Sequence, residues 1–122
     1  MRAPPGVDTV GSVTCTSDIL AGSLVPIMST EKGSAFEAAD HTIKKAFEQL
    51  DGSKPNVGFF FDCLATRLRL GDGFDYELKT VKDAFKNTKH AGCNTHRQLA
   101  RIIDGRFSDF NNCTAVVCII PD

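Results

Sequence analysis

The residues of this chain with the widest chemical range fall in two places. Asp62, Cys63, Arg67 and Arg69 follow one another across VGFFFDCLATRLRLG, and His90, Cys93, Asn94, Thr95, His96 and Gln98 crowd into HAGCNTHRQ. A thiol nucleophile needs a base within hydrogen-bond reach, and neither His90 nor His96 is near Cys63 along the chain. No local signature of a cysteine hydrolase or transferase surrounds Cys63. Catalysis is therefore not expected. Arg67 and Arg69 carry the planar fork that clamps a carboxylate through paired N–H groups, although arginines on a loop more often stay solvated.

The histidine-rich segment allows little metal chemistry. His90, Cys93 and His96 recur at intervals of three, and odd intervals on a strand alternate faces. His90 and His96 would share a side and Cys93 would oppose them, which disfavours a metal triad. Cys113 and Cys118, five apart on one expected strand, are likewise turned apart. No resident cofactor is expected. Haem needs only a single histidine, so His41, His90 and His96 stay formally open to it as the less favoured reading. Asn94, Thr95, His96 and Gln98 follow Gly92, which permits close backbone approach, and suit either a small polar ligand or a self-bonded loop. The glycines around Asp72 match no phosphate-binding pattern, and neither GxxxxGK[ST] nor GxGxxG occurs.

The elements that must position these groups follow from periodicity. Residues 10–19 and 23–30 alternate apolar with small polar residues and predict two strands, the second interrupted by Pro26. Phe36, Ala39, Ile43, Phe47 and Leu50 recur at three and four, predicting a helix over 34–50 with a Ser34/Glu37 capping box. KPNVGFFFDC predicts a central strand covered on both faces. LATRLRLGDG reads as a loop, after which Phe74, Leu78, Val81 and Phe85 predict a second helix over 73–86 with Asp72 as its cap. HAGCNTH and NCTAVVCIIP predict two closing strands, joined through a turn at Asp104-Gly105. The order β-β-α-β-α-β-β predicts an α+β fold, an α/β sandwich with one mixed or antiparallel sheet and two packed helices.

Length and charge bound the rest. The 122 residues suit a single domain, expected over 10–122 behind an extended tail at 1–9 that lacks the apolar region of a secretory signal. A net charge of −1 gives no field to draw in nucleic acid or an anionic membrane. No apolar run approaches the roughly 20 residues of a membrane span. Five cysteines, an odd number mostly within apolar segments, predict free thiols in a reducing, cytoplasmic setting.

Four stretches together resemble the C-terminal half of the FIST domain, found in F-box and intracellular signal transduction proteins. They are Gly22, Ser23, Val25 and Met28 before the first helix, that helix with GFFFDC, LRLGDGFDYEL, and FNNCTAVVCIIP after AGCNT. The likeness runs from about residue 10 to the end. It implies a noncatalytic sensory or adaptor module that binds a small polar, amino-acid-like ligand or a protein partner. It also leaves room for a homodimer, or for a vestigial pocket whose owner pairs with a separate N-terminal half. The ligand contacts expected on this basis are Asp62, Cys63, Arg67, Asn94, Thr95, His96 and Gln98. Two departures stand out: Arg97-Gln98 replaces the family's Gly-Glu, and the arginine that should follow the cysteine directly falls at Thr66 or moves to Arg67.

Overall fold

The phenylalanine run is the middle of the sheet. A computed structural model describes residues 4–27, 29, 31–96, 98–100 and 109–122. In it, strand β3 (Pro55–Cys63) is flanked by β4 (Lys89–Thr95), which runs parallel, and β7 (Ala115–Pro121), which runs antiparallel. Parallel pairing obliges the chain to cross over between β3 and β4, and it does so through α2 (Leu64–Leu70), a 3-10 turn at 71–73 and α3 (Phe74–Phe85). Helix α1 (Lys32–Glu48) precedes β3. Two small antiparallel ribbons complete the order: β1 (Gly6–Val7) with β2 (Val13–Thr14), and β5 (Gln98–Ala100) with β6 (Asp109–Asn111). The fold is α+β with a mixed central sheet.

The core lies on one face of that sheet. Ala39 and Ile43 of α1, Val81 and Phe85 of α3 and Phe60 of β3 form a buried cluster, against which Ala115, Val117 and Ile119 of β7 pack. Period-two alternation puts Gly58, Phe60 and Asp62 on this face, all buried. Phe59 and Phe61 point the other way and are half-buried, their rings stacked 6.4 Å apart. The expectation of cover on both faces is therefore corrected: α1 and α3 pack against each other and share a face. Continuous apolarity signalled the strand's central position but overstated its cover.

Glycine lets two contacts close. A Cβ on Gly58 would lie 2.2 Å from the Phe85 ring, so that ring sits directly on the sheet backbone. A Cβ on Gly92 would lie 2.3 Å from the Phe60 carbonyl oxygen. That neighbour is strand backbone and cannot swing aside, so Gly92→Ala is expected to destabilise the domain by about 1–3 kcal/mol. Urea unfolding measures it, and a midpoint matching wild type would contradict the reading.

Other boundaries move. Helix α1 begins at Lys32 behind Glu31, so Ser34 sits in its first turn and the capping box does not form. LATRLRL is a helix rather than a loop, and Gly73, not Asp72, precedes α3. Over 10–19 only Val13–Thr14 is strand, and the described part of 23–30 contains none. Leu24 and Ile27 are 98% and 99% exposed, so no sheet face has taken up their alternation. Cys113 precedes β7 in a left-handed conformation (φ 52°), which removes it from the strand that holds Cys118. β5 and β6 pair as the arms of a hairpin, and the expected Asp104-Gly105 turn lies outside the described residues.

Candidate functional site

Asp62 is the last inward-facing residue of β3, at the end where the parallel pair opens. The crevice beyond the carboxyl ends of parallel strands is where ligands bind in open α/β sheets. Pairing in register with Asn94 of β4 and Ala115 of β7 puts three strands' residues side by side here. A cavity of about 160 Å3 lies at this end. Asp62 lines it together with Ser34, Ala35 and Ala38 of α1, Thr66 and Arg69 of α2, Glu77 of α3, and the 113–115 segment.

Glu77 was not expected here. Residues 74, 77, 81 and 85 define the inward face of α3, so Glu77 is buried at 1% exposure while Leu78 is 46% exposed. The spacing of three, four and four was present in the sequence, but apolarity favoured Leu78. Among the described residues, Glu77 Oε2 is sealed from solvent without a hydrogen-bond partner. Leaving a buried acceptor unsatisfied costs about 1–3 kcal/mol, which makes this atom the least settled in the core.

Two carboxyls share the cavity, and both hold their protons tightly. Burial pushes the Glu77 carboxyl up to about 7, with the Asp62 charge adding to the rise and Arg69 opposing it. Burial pushes Asp62 up to about 6, against a hydrogen bond from the Cys63 backbone. Asn94 Nδ2 donates to Asp62 Oδ2 at 3.2 Å, and Thr95 Oγ1 donates to the Asp62 carbonyl oxygen at 3.2 Å. Burial, then the neighbouring Cys63, pushes the Cys113 thiol up, so it stays protonated and is a poor nucleophile at neutral pH.

The expected site residues divide three ways. Asp62 lines the cavity, and Asn94 and Thr95 brace it from behind. Gln98 is buried and structural: its Nε2 donates to the Phe61 carbonyl oxygen at 3.0 Å, and its Oε1 accepts from Thr114 Oγ1. Arg97 lies outside the described residues. Cys63 is buried at the β3–α2 junction and does not line the cavity. Arg67 stacks over the Phe74 ring at 4.6 Å, leaving Arg69 as the arginine at the cavity. His96 is exposed beyond the end of β4.

The other histidines serve elsewhere. His90 stacks on Phe85, centroids 4.7 Å apart, which places it on the helix-covered face, and His41 is exposed on α1. Among the described residues no group of three His, Cys, Asp or Glu side chains is arranged to hold a metal ion.

A buried acid pair with an arginine at its edge is suited to gripping a small polar molecule. A family model described as the FIST C domain matches residues 1–97. No curated protein and no solved structure gives a significant match. The family match covers most of the chain, including the central strand, both long helices and the cavity's two carboxyls: the chain belongs to the FIST C domain family.

Proposed function

We propose that this domain is a noncatalytic sensory or adaptor module of intracellular signal transduction, taking a small polar ligand in the cavity at the carboxyl end of β3. Its family is one of signalling domains, in keeping with a binding role. The observation that carries the proposal is the buried Glu77 carboxyl, whose Oε2 lacks a partner among the described residues and which lines a cavity also bounded by Asp62. A side chain kept in that state costs stability, and a ligand that satisfies it returns that cost as affinity. The cavity is smaller than the roughly 300–1,000 Å3 of drug-sized sites, which favours a ligand of few heavy atoms. The raised thiol of Cys113 and the buried, off-cavity position of Cys63 weigh against nucleophilic catalysis.

Residues 10–122 act together as one unit in this reading, with 1–9 as a tail whose Gly6–Val7 is held against Val13–Thr14 by strand pairing. A cytoplasmic location is part of the proposal, supported by five free cysteines. Among the described residues, no helix is long and apolar enough to cross a membrane.

A second reading has its own observation. The sheet face bearing Phe59 and Phe61 is half-open, and Cys118 and Ile120 on the same face are exposed. That surface suits a protein partner or a second copy. Calorimetric titration with a panel of amino acids and organic acids separates the two. Heat with at least one compound, lost in Asp62→Asn, supports the sensor. Silence from the whole panel, with a concentration-dependent dimer in ultracentrifugation, supports the interaction module instead.

A further inference from the structure

We propose that Glu77 and Asp62 form a seat for a protonated primary amine, with the Glu77 side chain turning toward the cavity so that Oε2, closed to solvent in the empty site, accepts one N–H of the ligand's ammonium group. This rests on reading the cavity as a ligand site and names the chemical class that site selects. The two carboxyls come from different elements, β3 and α3, and meet at one cavity. Each is almost fully buried, at 2% and 1% exposure.

Charge and hydrogen bonding point to the same ligand. Among the described residues, the groups facing the cavity are Asp62 from β3, Arg69 from α2, Glu77 from α3 and Cys113 from the turn before β7, with Ser34, Ala35 and Ala38 from α1. With both carboxyls ionised and Arg69 cationic, the cluster carries one excess negative charge. A monovalent cation neutralises it. An ammonium group does this while bringing three N–H donors to a site with an unsatisfied acceptor. A neutral hydroxyl would satisfy Oε2 but leave the charge. A carboxylate would add a third negative group to the two already present.

Binding is therefore coupled to proton loss. The empty pair retains a proton near neutrality because burial disfavours the charged Glu77 carboxylate and the Asp62 charge beside it adds to that effect. An ammonium ligand takes that proton's place. Affinity should rise steeply below about pH 6, approaching a hundredfold per pH unit where both carboxyls are protonated, then about tenfold per unit up to about pH 7, where the Glu77 carboxyl titrates, and level off above it.

The test uses ethylammonium, with acetate, ethanol and tetramethylammonium as comparisons, followed by amide chemical shifts of the full chain from pH 5 to 8. The expected result is that ethylammonium shifts residues around 62, 77 and 113–115 and binds more tightly as pH rises. Tetramethylammonium, with equal charge and no N–H donor, should leave them unmoved. Glu77→Gln and Asp62→Asn should each weaken ethylammonium at least tenfold at pH 8, and their amide spectra report separately that the fold is intact. Acetate binding that tightens as pH falls, with ethylammonium inert, overturns the amine seat while leaving the cavity a ligand site. If neither these four compounds nor any amino acid of the calorimetric panel shifts these residues, the ligand-site reading falls and this inference with it.

Discussion

Phe85→Ala is expected to remove about 3–5 kcal/mol of stability, the usual cost of truncating a fully buried phenylalanine. A domain of this size has about 5–15 kcal/mol in total, so the variant should stand at the edge of unfolding. The Phe85 ring is wholly buried, edge-on to Phe47 at 6.1 Å and face-on to His90 at 4.7 Å. Beneath it lies Gly58, at a separation that no side chain would tolerate. One ring thus ties α1, α3, β3 and β4 together. Urea unfolding should show the midpoint fall by about 2 M, given a slope of about 1–3 kcal/mol per molar. A change below 1 kcal/mol would mean that the ring is not seated on the sheet as described.

The same substitution should reach the cavity. Glu77 stands eight residues before Phe85 on the same face of α3, about 12 Å along the axis. Loosening the anchor at one end lets the other drift from Asp62. Gly58→Ala attacks the contact from the opposite side, and its cost should shrink in a Phe85→Leu background, where less ring is present to collide. That pair of measurements forms a double-mutant cycle that isolates the contact.

Stability should fall as pH rises from about 4 to about 7, opposite to a protein held together by salt-bridged carboxylates. Glu77 and Asp62 are raised in the folded state, from 4.5 to about 7 and from 3.8 to about 6. Below about pH 4 both groups are protonated whether the chain is folded or not, and neither opposes folding. Between about 4 and 7 the unfolded chain releases protons that the folded chain retains, so the folded form loses ground. Above about 7 both forms are ionised and the loss is complete. At about 1.4 kcal/mol per pKa unit, each group accounts for on the order of 3 kcal/mol across this window.

Glu77→Gln keeps the shape and removes the charge. At pH 8 it should be more stable than wild type by about 1–3 kcal/mol, raising the melting temperature by several degrees. At pH 4 the two proteins should nearly coincide. Equal pH slopes for wild type and variant would contradict the buried acid pair. Stability held back by a charged pair at the cavity, and recovered by neutralising it, is the usual trade between a working site and a relaxed core.

Much of this architecture was legible in the chain because helical and strand periods are local. Side chains at three and four must stack, and alternating ones must part, so α1, α3 and the central β3 could be read from spacing. Asp62 was legible too, as the polar residue ending an apolar strand. Where the reading failed, a neighbour decided. Segment 23–27 alternates like a strand yet found no edge to pair with. LATRLRL has loop-like arginines, yet Thr66 and Leu70 are buried and hold it as a helix.

The sequence by itself determined α1, α3, the middle strand and one carboxyl of the site, since these depend on the geometry of a few consecutive residues. Only the tertiary structure decided that Glu77 rather than Leu78 faces inward, that Arg69 rather than Arg67 meets the cavity, and that Gln98 braces the scaffold. These outcomes depend on the crossover that carries α3 back over β3. That crossover brings together groups fifteen or more residues apart, and no local pattern records which of them will meet.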